Sequence, residues 1–185
     1  MDPNEQLGHI LPTITRMVDD ILPEVLHNTT PCDRFDVGDV LNHMITLGGT
    51  FAYAFRGEEP PEIVAPETAG RVPVAEFRNT MADLLDAVNS PGAMERIVDT
   101  PVGQMPGETF ARLVAFDGLV HGWDIARATG IGYRLPAEVI AEVDQFAHNA
   151  LTPDMRDGDT FKEATTPPNN ASPIERVAAF SGRTV

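Results

Sequence analysis

Asp117 and His121 have the side-chain types and the spacing that hold a metal ion on one face of a helix. Residues four apart project from consecutive helical turns, with their Cβ atoms about 6 Å apart. One cation bound at about 2.0–2.2 Å from each side chain closes that gap, as in zinc sites on helices. The same spacing also occurs by chance, and Asp117 then satisfies a buried His121 by a hydrogen bond or an ion pair. The pair therefore predicts a metal site and leaves the ion pair as the alternative.

His43 is the candidate for a third ligand. On a helical wheel it lies about 60° from the centre of the apolar stripe of its predicted helix. Its side chain therefore points to the interior or its edge, where helical bundles assemble metal sites from facing helices. Two histidines and one carboxylate leave an open position for water, which is typical of catalytic zinc sites. Nickel and iron(II) accept the same ligands, and a helix-edge histidine without a metal is the simpler alternative.

Two further residues could contribute chemistry near this pair. Asp124 follows His121 by about one turn, and we expect it either to orient a ligand or to bond to a neighbouring helix or loop. Cys32 is the single cysteine, so a disulfide framework and a cysteine-rich zinc site are excluded. A nearby helix N-terminus would lower the pKa of its thiol, whereas the alternative is a small apolar loop residue. The remaining histidines have no partners at ligand spacing: His9, His27 and His148.

Apolar residues recur at helical spacing over most of the chain, and few segments alternate with a period of two. Asp36 is expected to cap the second helix, and the segment SPIE that begins at Ser172 has the form of a capping box. Gly57 and Gly130 are expected to end helices. The expected helices span about 4–27, 37–56, 73–89, 108–129 and 136–151, with a short one after Ser172. Pro23 is expected to kink the first helix or to shorten it near its end. Loops are expected over residues 58–72, 90–107 and 152–171, with an extended piece near Ile97 and Val98.

This pattern predicts an all-α fold, with four main helices in a bundle and one or two additional C-terminal helices packed on it. The length of 185 residues suits one domain over residues 1–185. Thirteen basic and 28 acidic residues give a net charge of −15, which argues against binding to nucleic acid or anionic lipid. The chain lacks a run of about 18 apolar residues and a secretion signal, so we expect a cytoplasmic protein that does not cross a membrane.

Two stretches resemble a known family. They are LVHGWDIARATG at residues 119–130 and TPCDRFDVGDVLNHM at residues 30–44. Both are similar to motifs of the DinB-like superfamily, and more closely to the metal-binding domain at the N-terminus of mycothiol-dependent maleylpyruvate isomerases. Proline-rich turns followed by SPIER at residues 172–176 also match, so the similarity covers nearly the whole chain. The resemblance implies a DinB-like four-helix bundle with a divalent metal site, usually zinc.

By this resemblance, the family's metal ligands fall on His43, Asp117 and His121, where Asp117 replaces a residue that is generally glutamate. The resemblance also implies a transferase or isomerase that uses a low-molecular-weight thiol such as mycothiol on a small electrophilic substrate, in an actinobacterium. The isomerases carry a further C-terminal domain, for which 185 residues leave no room. The alternative is a non-enzymatic helical bundle with a structural or absent metal, acting as a stress-related or interaction module. A homodimer formed through exposed helix faces is compatible with both.

Overall fold

The computed structural model describes residues 1–61, 71–100, 103–153, 156 and 161–185. Helices dominate these ranges, together with one antiparallel hairpin. In chain order the elements are α1 (Pro3–Asp19), α2 (Val37–Arg56), α3 (Val74–Val88), β1 (Ile97–Thr100), β2 (Gly103–Pro106), α4 (Gly107–Thr129), α5 (Ala137–Ala150) and α6 (Pro173–Phe180). Within the described ranges, no helix is long and apolar enough to cross a membrane.

The first four helices form a bundle in which α1 and α2 each pack against α3 and α4. The two C-terminal helices are added to this bundle, with α5 on α4 and α1, and α6 on α5 and α4. The predicted all-α bundle with additional C-terminal helices is therefore confirmed. Because both the bundle and the added helices cover α4, every residue from Gly118 to Ile125 is buried. Polar side chains on this part of α4 therefore lie in the protein interior, where they require bonding partners.

The start of α2 has the predicted cap at Asp36, and the structure shows that Asp39 completes it as a capping box. The Asp36 carboxylate accepts a hydrogen bond from the Asp39 backbone N–H at 2.8 Å, and the Asp39 carboxylate accepts one from the Asp36 N–H at 3.1 Å. Gly57 ends the helix with a φ of 74°, a left-handed conformation that glycine adopts without strain. A cap of this type stabilises a helix by about 1 kcal/mol. It sets the first residue of α2 and so the face on which His43 lies.

The first helix is shorter than predicted, because it ends at Asp19 rather than near residue 27. Pro23 explains the difference: it has no N–H to donate, and its ring would clash with the carbonyl of Asp19 four residues earlier. Pro23–Val25 instead form a single 3₁₀ turn. The other helices up to α5 begin and end within one residue of the expected bounds.

The hairpin was predicted only in part. Strand β1 confirms the extended piece near Ile97 and Val98, but β2, which pairs Thr100 with Gly103 and Ile97 with Pro106, was not predicted. Its four residues include glycine and proline, both of which are depleted in strands. Of the expected loops, residues 62–70, 101–102, 154–155 and 157–160 lie outside the described residues.

Gly122 on α4 allows close contact with the ring of Tyr133. A Cβ atom at position 122 would lie 2.5 Å from the Tyr133 Cζ atom and 2.6 Å from its hydroxyl oxygen, which is itself buried. We expect Gly122→Ala to lower the free energy of unfolding by about 1–3 kcal/mol, because the ring has to move within a packed interior. Urea denaturation measures this change.

Gly132→Ala is the matched control, since a Cβ atom there would meet no heavy atom within 4 Å. Its effect should stay within about 0.5 kcal/mol. Equal losses for the two variants would contradict the assignment of Gly122 to close packing.

Candidate metal centre

Helix α4 carries three polar side chains along one face. The exposed fraction of the side chain falls from 38% for Asp117 to 5% for His121 and 0% for Asp124. Because an unpaired polar group in the interior is costly, the two buried residues each require a partner. Of the three side chains, Asp117 is therefore the most exposed to solvent, and Asp124 is completely buried.

His43 approaches this face from α2. Its ring centroid lies 5.0 Å from that of His121, and the two ring planes are 70° apart. Phe35, in the loop before α2, packs against both rings, with centroid distances of 5.2 Å to His43 and 6.5 Å to His121. The Thr30 hydroxyl holds this loop by donating to the Phe35 carbonyl at 2.7 Å. His43 therefore faces α4, as the helical wheel predicted.

The three predicted ligands form a group in which one ligand atom from each residue lies within 4.8 Å of the other two. His121 Nε2 and Asp117 Oδ1 are 3.4 Å apart. Two atoms bound at about 2.1 Å to a tetrahedral zinc ion are themselves about 3.4 Å apart. The His121 and Asp117 atoms are therefore spaced as two zinc ligands would be, and two imidazoles with one carboxylate are a donor set that suits a divalent ion. The same distance is longer than the roughly 2.7–3.2 Å of a normal hydrogen bond. It is within the range of an ion pair, so the geometry also fits the alternative in which Asp117 pairs with His121 without a metal.

Asp124 orients the His121 ring. Its Oδ2 atom lies 3.1 Å from His121 Nδ1. A carboxylate that accepts this hydrogen bond requires the hydrogen on Nδ1, so a neutral His121 ring presents the lone pair of Nε2 toward Asp117. The same Oδ2 atom accepts a hydrogen bond from Arg183 Nη2 at 2.9 Å. Asp124 thus fulfils both sequence-based alternatives, since it orients a candidate ligand and also bonds to a neighbouring segment.

The surroundings of His43 favour a neutral ring. Burial lowers the pKa of this imidazole, and the Asp117 carboxylate opposes the shift. The positive charges that can form at His121 and Arg183 lower the pKa further. Neutral imidazole is the form that binds metal ions, so this shift leaves the His43 lone pair available at neutral pH.

A cavity of about 220 Å³ adjoins the three candidate ligands. Its apolar wall is formed by Leu47, Phe116 and Val120. The opposite side combines the loop before α2 with the C-terminal segment, through residues 31–35, 161–162 and 181–183. Lys162 forms an ion pair with Asp33 and so links these two segments. Since Asp117 is partly exposed, the candidate ligands lie on the wall of a cavity that solvent can reach.

Cys32 also lines this cavity. Burial raises the pKa of its thiol, and the nearby Arg183 only partly opposes that shift. The thiol is therefore protonated at neutral pH. The structure favours the interpretation of Cys32 as a small loop residue over that of a nucleophile.

The expectation that His27 and His148 have no partner at ligand spacing is wrong, because Asp36 lies beside His27 and Asp144 precedes His148 by one helical turn on α5. His27 Nδ1 lies 3.0 Å from Asp36 Oδ2, and His148 Nε2 lies 3.6 Å from Asp144 Oδ1. In the part of the chain that the structure describes, neither pair is joined by a third ligand atom to make a group like the one above. Asp144 and His148 therefore have the same four-residue spacing as Asp117 and His121, but no third ligand atom is described beside them.

Arg183 is the residue of this site that the sequence analysis missed. One signal pointed toward it, because a carboxylate predicted on the buried face of α4 requires a donor or a positive partner. Nothing in the sequence indicates which arginine supplies that partner, since Arg183 follows Asp124 by 59 residues.

Comparisons with known proteins show the family and the fold of the chain. The sequence profile described as the mycothiol maleylpyruvate isomerase N-terminal domain matches residues 7–126. Two proteins of Mycobacterium tuberculosis, uncharacterized proteins MT0763 and Rv0738, are each 28% identical over 186 residues and match 100% of this chain and 100% of their own.

Two solved structures share the fold. The crystal structure of the mycothiol-dependent maleylpyruvate isomerase aligns with a TM-score of 0.55 at 17% identity, over 76% of this chain and 67% of that chain. A histidine-to-alanine mutant of the isomerase aligns with a TM-score of 0.53 at the same identity and coverage. Their fold agrees with the DinB-like bundle expected from the sequence. The chain belongs to the family of the mycothiol maleylpyruvate isomerase N-terminal domain.

Proposed function

We propose that the protein binds a divalent metal ion through His43, Asp117 and His121 and uses it with a low-molecular-weight thiol, such as mycothiol, on a small electrophilic substrate. One observation carries the proposal: three ligand atoms converge within 4.8 Å beside a cavity of about 220 Å³. The family supports the thiol, because the relatives of known structure are described as mycothiol-dependent. The reaction class is an isomerisation or a transfer.

The types of ligand atom determine which metals the site would bind. Two imidazole nitrogens and one carboxylate oxygen suit zinc best, and nickel or iron(II) also accept them. With three protein ligands a position stays open, at which a bound divalent ion would deprotonate a coordinated thiol. Among the described residues that line the cavity, Cys32 does not supply a competing thiolate, because burial keeps its thiol protonated.

The surrounding side chains have separable tasks in this proposal. Asp124 keeps the His121 Nε2 lone pair directed at the site. The apolar wall of Leu47, Phe116 and Val120 excludes water from one side of the cavity, which strengthens electrostatic interactions inside it.

We also propose that residues 1–185 act as one domain. The C-terminal segment lines the same cavity as α2 and α4, and α6 packs on both α4 and α5. The cavity would therefore be incomplete without the last residues of the chain.

Metal analysis and calorimetry together test the function. After zinc supplementation, the purified protein should hold about one equivalent of zinc. The zinc-loaded protein should bind mycothiol with release of a proton, seen as a binding enthalpy that changes with the ionisation enthalpy of the buffer. The S-methyl derivative of mycothiol is the matched control ligand, and it should bind without proton release because it has no thiol proton.

Two results would contradict this proposal. A zinc content below about a tenth of an equivalent excludes the metal site. The second result has three parts: zinc binds, its removal unfolds the chain, and the zinc-loaded protein has no measurable affinity for mycothiol. This result favours the alternative of a helical module with a structural metal.

A further inference from the structure

The chain after α6 returns to the cavity. Helix α6 ends at Phe180, and the next three residues, Ser181, Gly182 and Arg183, line the cavity beside the candidate metal ligands. This segment lies outside residues 7–126, which the family profile matches. Its contribution to the site is therefore a property of this chain that the family match does not assign.

The backbone of this segment is held in one position. The N–H groups of Gly182 and Arg183 donate to the carbonyls of Ala179 and Ala178, both at 3.0 Å. Gly182 has a φ of 96°, and a Cβ atom there would lie 2.5 Å from the Cβ atom of Lys162. Only glycine fits this turn, and the turn directs the chain so that Arg183 lies beside α4.

Arg183 is linked to the candidate metal centre through Asp124 Oδ2, an oxygen atom that both Arg183 and His121 contact. Its Nη2 atom donates to Asp124 Oδ2 at 2.9 Å, and its Nε atom lies 3.4 Å from Asp124 Oδ1. Asp124 is fully buried, and its Oδ2 atom also accepts the hydrogen bond from His121 Nδ1 at 3.1 Å. A buried carboxylate is stable only with a paired positive charge, so the position of Asp124 depends on Arg183.

We propose that Arg183 is a positioning residue of the metal centre: it holds Asp124, which holds the His121 ring in the orientation that binds the ion. This inference rests on the proposed metal site. It assigns the C-terminal segment a function in metal affinity, since residues that orient a ligand contribute to binding without touching the ion.

Zinc affinity tests the proposal. Competition with a chromophoric chelator at neutral pH should show that Arg183→Ala weakens zinc binding about 10-fold to 100-fold, the range for residues that support a ligand. Arg183→Lys should restore part of the affinity, because an ammonium keeps the charge but not the two-atom contact with the carboxylate. Arg134→Ala is the matched control, since Arg134 is exposed and does not line the cavity. It should change the affinity by less than about twofold.

A double-mutant cycle shows whether Arg183 acts through Asp124. In an Asp124→Asn background, Arg183→Ala should change the zinc affinity by less than about twofold, because the carboxylate that Arg183 holds is gone. If Arg183→Ala still weakens zinc binding about 10-fold to 100-fold in that background, the proposal that Arg183 acts through Asp124 is wrong. If Arg183→Ala does not fold, Arg183→Gln replaces it, since glutamine keeps most of the side-chain packing without the charge.

Failure of this inference differs from failure of the proposed function. Wild-type protein that takes up no zinc overturns both. Wild-type protein that binds zinc, together with an Arg183→Ala or Arg183→Gln variant of unchanged affinity, overturns the function of Arg183 alone.

Discussion

Replacing His121 with alanine should reduce the zinc content of the purified protein from about one equivalent to less than about a tenth of an equivalent. His121 is the central ligand of the proposed site, because Asp117 lies 3.4 Å from its Nε2 atom and Asp124 holds its Nδ1 atom. Its removal leaves one imidazole and one partly exposed carboxylate, which is too few ligands for a stable zinc site. Metal analysis after zinc supplementation and gel filtration measures the content.

His148→Ala is the control for this prediction. Asp144 and His148 repeat the same spacing on α5, with 3.6 Å between His148 Nε2 and Asp144 Oδ1. Among the described residues, no third ligand atom joins them in a comparable group. His148→Ala should therefore keep the full zinc content. Zinc retained by His121→Ala, or lost equally from both variants, would contradict the assignment of the ligands.

Asp124→Ala should lower the free energy of unfolding of the metal-free protein by about 3 kcal/mol, at the lower end of the range for breaking a buried ion pair. The Arg183 side chain is only 15% exposed, so the substitution leaves its charge largely buried without a carboxylate. His121, with a side chain 5% exposed, loses its hydrogen-bond partner as well. A loss of this size lowers the melting temperature by about 6–12 °C for a chain of this length.

Thermal unfolding in the presence of a chelator measures this effect without a contribution from bound metal. Asp83→Ala is the matched control, because Asp83 pairs with Arg56 at 2.6 Å but its side chain is 49% exposed. Exposed ion pairs contribute about 0–1 kcal/mol, so this control should change stability little. The double variant Asp124→Ala with Arg183→Ala should regain part of the loss, since the uncompensated charge is gone. Equal effects of Asp124→Ala and Asp83→Ala would show that the pair with Arg183 is not important for stability.

The helices were predictable because their signals are local. Apolar spacing indicates the inward face of each helix, and the caps at Asp36 and Ser172 mark two of the starts. The error at the end of α1 has a local cause too, since the effect of Pro23 reaches back four residues to Asp19. Strand β2 was missed for the opposite reason, because its four residues are extended only through their pairing with β1.

The same distinction between local and long-range signals applies to the candidate site. The sequence by itself determined that Asp117 and His121 share a face and that Asp124 follows on it, because the helical repeat sets the distances between residues on consecutive turns. Only the tertiary structure decided that the His43 ring lies 5.0 Å from that of His121, and that Arg183 reaches Asp124 across 59 residues of chain. Those distances depend on how α2, α4 and α6 pack, and this packing depends on contacts between distant residues that no local pattern encodes.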